Sequence, residues 1–404
     1  LINKQIFQFP IIYSRQPGKT AIGWGVHTTV ADECKKAGMK KVLIVTTGLK
    51  GTGIVDEIKQ ILTTNGISVE VYDKVESNPR EYHVMNGYGV FKAAECDGVV
   101  SVGGGSSHDT GKGIRIVACN NGRNICDFSG VTEENWMKKE LEYHPVTIPQ
   151  VSVNTTAGTG AESAAGAAII DTRIRVKTGI MVPNETPTIA LTDPLLVRLM
   201  PQRLTAWTGW DAFTHAFECY VSNIHVPGSE AVQLRVIKIV AENLREFTYN
   251  RMNDVACLNM CYAESMTGTG MAMGGGGGIV HGFGNTISAI QPGAHHGRTM
   301  AVMTIPFQRY NEVARPDLFA EMARAMGVDT RGMTRIQAAD KWFEEVERLL
   351  ADLNIKIGHL NEQFGITHED LEHIARIGTN LFTREGNPRE IIYDEVYKIL
   401  EDIL

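Results

Sequence analysis

Asp211 and His215 stand four residues apart in the stretch TGWDAFTHAFECY, residues 208–220. On a helix, positions i and i+4 share a face. A carboxylate and an imidazole on one face form either a surface pair or two arms of a metal site. Three more of the chain's twelve histidines gather downstream, in GGGGGIVHGFGNTISAIQPGAHHG, residues 274–297: His281, His295 and His296. One carboxylate and three imidazoles, with one of His295 and His296 turned inward and one position left open, suit Fe(II) or Zn(II). They do not suit Mg(II) or Ca(II), which take oxygen. The five glycines Gly274 to Gly278 would cost about 1 kcal/mol each in an exposed helix, so that segment calls for tight packing or a close ligand.

A second chemistry-bearing stretch is SVGGGSSHDTGKG, residues 101–113. A strand, three glycines, small hydroxyl residues and then a helix form a phosphate-binding arrangement, because the backbone can approach closely and a helix N-terminus supplies free N–H groups. The P-loop pattern fails: five residues separate Gly105 from Gly111, and Lys112 is followed by Gly113. The dinucleotide pattern GxGxxG also fails, since His108 stands where its last glycine would fall. A third stretch, NTTAGTGAES (154–163), offers Thr155, Thr156, Thr159 and Gly160 as a surface on which a nucleotide could lie close to backbone.

These groups need elements to hold them. The 404 residues predict two or three domains. Apolar runs alternate with amphipathic segments in the first half. Strands are predicted at 40–47, 67–73, 96–105, 143–154 and 186–194, and helices at 52–66, 80–95 and 106–119. Such alternation indicates a parallel sheet covered on both faces. After about residue 195 strand signals nearly vanish and helical periodicity takes over. The expectation is an α/β N-terminal nucleotide-binding domain, residues 1–196, and an all-α C-terminal metal-binding and substrate domain, residues 197–404.

Composition excludes some classes. The chain carries 39 basic and 46 acidic residues, net -7, which argues against general affinity for nucleic acid or anionic membrane. Seven scattered cysteines without a CxxC fit a reducing compartment better than a disulfide framework. No apolar run reaches the roughly 18 residues of a membrane span. The opening LINKQIFQFP is too short and broken for a signal-peptide core. A cytoplasmic location is expected.

Taken together, GGGSSHDTGK, TTAGTGAES, TDPLL, LTAWTGWDAFTHAFE, GIVHGFGN, HHG and GNPRE, in this order and spacing, resemble the iron-containing (group III) alcohol dehydrogenase family over nearly the whole chain. The resemblance implies a dehydroquinate synthase-like fold, in which a Rossmann-like domain and a helical domain hold a metal between them. It implies Asp211, His215, His281 and His296 as ligands, His296 being favoured over His295 by the glycine that follows it. The family's usual interval between the last two ligands is fourteen residues; His295 lies fourteen and His296 fifteen after His281. On the cofactor side it implies Gly103, Gly104, Gly105, Ser106 and Asp109 at the pyrophosphate. Thr155, Thr156 and Thr159 would lie along the nucleotide, with Lys177, Leu195 in TDPLL, and Thr47 at the end of the first strand. Thr47 stands where many NAD-preferring members carry an aspartate, so NADP(H) is slightly favoured over NAD(H). Asn285 stands where many members have a histidine, which puts a proton relay there in doubt. Arg298 stands where an apolar residue is usual; a guanidinium there serves either a structural salt bridge or cap or, if it faces the pocket, an anionic substrate tail.

The activity implied is reversible hydride transfer between a short-chain primary alcohol and NAD(P), assisted by Fe(II) or Zn(II), in a homodimer or larger homo-oligomer. Two other readings remain: a reductase of a small anionic aldehyde such as sulfoacetaldehyde or phosphonoacetaldehyde, and an ATP-dependent transferase or nucleotide-binding regulator.

Overall fold

A computed structural model describes residues 19–129, 142–273, 277–380 and 383–404. The opening segment and Gly274–Gly276 of the glycine run lie outside the described residues. The first half builds a six-stranded sheet, every pairing of which is parallel. Its strands are β1 (Lys19–Ile22), β2 (Lys41–Thr46), β3 (Ser68–Tyr72), β4 (Gly98–Gly103), β5 (Gln150–Asn154) and β8 (Ile189–Thr192), in the order β1-β8-β5-β4-β2-β3. Between β5 and β8 the chain adds an antiparallel pair, β6 (Ala167–Asp171) and β7 (Val176–Ile180).

Helices α1 (Val30–Lys36), α2 (Ile54–Thr64), α3 (Glu81–Ala93) and α4 (Gly105–Cys119) cover the sheet. Alternate residues of β2 feed different cores. Val42 and Ile44 pack with Val30, Ile58 and Leu62 on one face, and Leu43 and Val45 with Val84, Ile114 and Val117 on the other. Burial on both faces explains the unbroken apolar run VLIV within this strand.

Sequence reading over-extended one strand and missed others. Of 143–154, only Gln150–Asn154 is strand, because Pro145 and Pro149 lack the N–H a ladder needs. The short β1 and the β6–β7 pair were not foreseen.

Helices follow from Pro194 onward, and no strand appears there among the described residues. They include α5 (Pro194–Val197), α6 (Gln202–Val221), α7 (Pro227–Tyr249), α8 (Asp254–Ala272), α9 (Ile279–Ile290), α10 (His296–Glu312), α11 (Pro316–Ala325) and α12 (Arg335–Asp352). Central α6 is buried on almost every side. Phe213 and Phe217 stack edge-on and both meet Trp342 of α12. None of the described helices is long and apolar enough to cross a membrane.

The sheet and the helices are joined at Asp193. This buried carboxylate caps α5 by accepting from Leu195 N at 2.9 Å and also accepts from the backbone and ring Nδ1 of His27. His27 Nε2 lies 3.3 Å from Glu57 Oε1. The Asp193 hydrogen bond raises the His27 pKa, burial opposes it, and Glu57 adds to the rise. Because the folded pKa is raised, the charged pair stabilises most below the unfolded value of about 6.5 and fades as pH climbs through the folded one. His27→Gln should therefore lose about 2 kcal/mol at pH 6, with the gap to the parent narrowing towards pH 9 in denaturant titrations. An equal gap at both pH values would rule out the charged pair.

Candidate functional site

The strand order reverses between β2 and β4: from β2 the sheet grows one way to β3, and from β4 it grows the other way through β5 and β8. A crevice opens outside the carboxyl ends of strands at such a point, and ligands bind there. Here Thr47 follows β2, and Gly103–Gly105 join β4 to the N-terminus of α4. Gly103 has φ +143°, outside the range of residues with side chains. A Cβ on Gly104 would meet Thr156 Cγ2 at 2.6 Å. The turn is thus bare backbone at a helix N-terminus, faced by the hydroxyl-rich loop. Thr155 N pins that loop by donating to Gly103 O at 3.0 Å.

From this turn a cavity of about 440 Å³ runs to the helical half. Gly104, Gly105, Ser106 and Asp109 line one wall, and Thr47, Thr155, Thr156, Thr159 and Lys177 line others. Asp109 also holds the fold, accepting from Ala168 N and from the buried Lys112 Nζ. Lys177 is buried and hydrogen-bonds Asn78; burial pushes its pKa down against the pull of Asp211 and Asp109. Leu195 does not line the cavity. It is 41% exposed in the first turn of α5, and its neighbour Leu196 lines the wall instead.

At the far end α6, α9 and α10 converge. Asp211 and His215 lie on one face of α6, as the spacing required. His281 sits in the first turn of α9, and His296 is the first residue of α10. These two helices were not anticipated. His281 Nε2 and His296 Nε2 each lie 3.5 Å from Asp211 Oδ1, and the His215 and His281 rings are 4.1 Å apart. Ligand atoms of Asp211, His215 and His281 lie mutually within 4.8 Å. Donors bound tetrahedrally to zinc sit about 3.4 Å from one another. Asp211 Oδ1 and His281 Nε2 are buried without any hydrogen-bond partner. A buried carboxylate oxygen and a buried imidazole nitrogen 3.5 Å apart, neither with a hydrogen-bond partner, fit a shared cation.

The remaining ring atoms are arranged to suit. His215 Nδ1 donates to the Asp211 carbonyl at 3.0 Å, leaving Nε2 free. His281 Nδ1 donates to Glu218, which also accepts from Val280 N at 2.6 Å and caps the start of α9. A carboxylate behind a ligating histidine fixes its tautomer and raises its basicity. Burial alone would raise the Asp211 pKa, but His215, His296 and His281 outweigh it and hold the carboxyl far below its usual range. Burial pushes His215 down to about 4. Burial would also lower His281, but Glu218 and Asp211 raise it, and the same two carboxylates that favour a proton on this ring favour a metal cation at Nε2 in its place.

Close packing sets the spacing. A Cβ on Gly158 would lie 2.0 Å from Thr208 O, and one on Gly297 2.0 Å from Trp207 O. The first half of α6 is therefore pressed against both the hydroxyl loop and the start of α10.

His295 lines the cavity, its ring 4.9 Å from that of Trp207, and burial lowers its pKa to about 4. Asn285 shares a face of α9 with His281 but does not line the cavity. Arg298 also lies outside it. Its guanidinium donates to Gln363 Oε1 at 2.7 Å and lies over the rings of Trp207 and Phe364. These contacts favour the structural reading of Arg298 over the anion-pairing one.

Comparison with known proteins identifies the family. The profile for iron-containing alcohol dehydrogenase matches residues 17–194, and that for the C-terminal part of the Fe-containing alcohol dehydrogenase family matches 205–404. The chain belongs to the iron-containing alcohol dehydrogenase family. It is 38% identical over 385 residues to methanol:N,N-dimethyl-4-nitrosoaniline oxidoreductase of Mycobacterium sp. (strain DSM 3803 / JC1), covering 95% of this chain and 88% of the relative. It is 33% identical to an NAD-dependent methanol dehydrogenase of Bacillus methanolicus, covering 96% and 98%. A solved 1,3-propanediol oxidoreductase superposes with a TM-score of 0.89 at 32% identity, covering 98% and 100%. As an iron-containing alcohol dehydrogenase the chain is an oxidoreductase of CH–OH groups, and a nucleotide-dependent transferase or regulator is not favoured.

Sequence reading missed two polar residues of this site. Glu218 lies seven residues after Asp211, two helical turns along the same face, and that spacing was the available signal. Asn78 sits in a turn with no periodicity to mark it. Glu218→Gln should weaken metal binding about tenfold or more, read by competition with a chromophoric chelator; affinity equal to the parent's would remove Glu218 from the site.

Proposed function

We propose that this dehydrogenase interconverts short-chain primary alcohols and their aldehydes, with Asp211, His215, His281 and His296 holding an iron or zinc ion and the crevice between β2 and β4 holding NAD(H) or NADP(H). The observation that carries the reading is the pair of unpartnered buried atoms, Asp211 Oδ1 and His281 Nε2, at the end of a cavity that starts at a glycine turn. When bound, the metal supplies the Lewis acidity that acidifies the alcohol, and the nicotinamide supplies the hydride acceptor.

The chain's own groups then do the positioning. Gly104 and Gly105 present backbone N–H groups to the pyrophosphate at the α4 terminus. Thr156 and Thr159 form the opposite wall. Leu196, Met200 and Leu204 give the cavity an apolar side that limits water. His295 meets the substrate end with a neutral ring. Position 285 offers an amide, which neither gives nor takes a proton near neutrality. At the nucleotide's ribose end Thr47, Gly48 and Thr52 line the wall without a carboxylate, so nothing there repels a 2′-phosphate. A two-domain division near residue 196, a homo-oligomeric assembly and a cytoplasmic location belong to the same reading. All seven cysteines are free, which suits a reducing compartment.

Metal removal tests it. The chelated enzyme should lose propanol and 1,3-propanediol oxidation with either nucleotide and regain it on anaerobic Fe(II) or Zn(II) addition. His296→Ala should fall about 100-fold or more in kcat/KM and His295→Ala by about fivefold or less. Full activity in the metal-free enzyme, or the reverse order of the two histidine variants, would reject the assignment.

A further inference from the structure

Asn78 lies in the turn after β3, in ESNPR, 3% exposed and with φ +54°. Asparagine is among the few side-chain residues that adopt this backbone readily. Its amide is used in three directions across the crevice. Nδ2 donates to the carbonyl oxygens of Pro292 at 3.2 Å and Ala294 at 3.0 Å, and Oδ1 accepts from Lys177 Nζ at 3.2 Å. The network fixes which way the amide faces: two carbonyls require a donor and a lysine amine or ammonium a partner that accepts.

Pro292 and Ala294 belong to the turn Gln291–His295, which joins α9 to α10. The turn ends at His295, and α10 opens on His296; of these adjacent histidines, the one whose Nε2 lies 3.5 Å from Asp211 Oδ1 is His296. The Ala294 carbonyl is part of the peptide that leads into His295. Holding that peptide restrains the backbone immediately ahead of both histidines. Asn78 reaches this peptide from the sheet half of the molecule, 216 residues away in sequence.

We propose that Asn78 is a positioning residue for the metal cluster: its amide, hydrogen-bonded to the Ala294 and Pro292 carbonyls, turns His296 rather than His295 toward Asp211 and ties the ligand turn to the nucleotide half through Lys177. The inference rests on the metal-site reading above. It assigns Asn78 no contact with substrate.

Two variants separate this role from simple support of the fold. Asn78→Asp keeps the size and an acceptor for Lys177 but sets a carboxylate against two carbonyls. Asn78→Gly deletes the side chain at a φ that glycine adopts freely. Co(II) is the probe, added to the full-length protein without nucleotide. Affinity is read by chelator competition, coordination by the cobalt d–d absorption band, and fold by the metal-free melting temperature.

Both variants should bind Co(II) about tenfold or more weakly, with a changed d–d band and a metal-free melting temperature within about 3 °C of the parent. Affinity within about twofold of the parent and an unchanged band in both variants would overturn the proposal, and a lowered melting temperature alongside them would mark Asn78 as a fold residue only. If the parent itself binds no Co(II), the metal-site reading fails and this inference falls with it.

Discussion

The Asp211 carboxylate is the constraint around which the helical half is arranged. It is buried at 3% exposure, on a helix packed on almost every side, with one oxygen that has no hydrogen-bond partner among the described residues. An isolated charge in such a place is strongly unfavourable. Three imidazoles surround it, and Glu218 braces one of them from behind. The set makes physical sense around a cation, and each neighbouring element serves to hold it. Aromatic packing of Phe213, Phe217 and Trp342 fixes the opposite face of α6. Gly158 and Gly297 let the α6 backbone come close enough for donors from three helices to converge.

The nucleotide side has an equally stiff base. Beneath the glycine turn, the buried His108 bonds Ser101 Oγ at 2.9 Å, and Gln150 Nε2 bonds the same hydroxyl. Asn154 Nδ2 then reaches Glu264 Oε2 on α8 at 2.6 Å, which carries the network into the helical half. Burial, reinforced by nearby Glu162, keeps the Glu264 pKa well above the usual carboxylate range. The loop that faces a nucleotide is therefore anchored to both halves through buried polar groups, whose loss costs more than that of exposed ones.

How far sequence alone reaches follows from these particulars. The α6 pair, the glycine turn and the alternation of strand and helix were legible because each is a pattern contained in a short stretch of sequence. The joint order of the motifs also pointed to the family. The helices α9 and α10 were obscured by glycine and proline: HGFGN opens one, and Pro306 lies inside the other. Both reduce helix propensity, and tertiary packing overrides them here. The surroundings of Leu195 and Arg298 were hidden for a different reason. Whether a side chain faces a cavity depends on neighbours remote in sequence, such as Gln363 for Arg298. Asn78 was invisible for the same reason, since its partners lie 99 and more than 200 residues away.

The order of the strands also bears on synthesis. The central sheet is complete once β8 has paired with β1 and β5, at Thr192. Every proposed metal donor comes later in the chain, from Asp211 to His296. On a ribosome, where N-terminal units fold first, the sheet can close while the helical half is still being translated. Under the proposed ligand set, the metal site gains its last donor, His296, only after every strand that forms the nucleotide crevice has been translated.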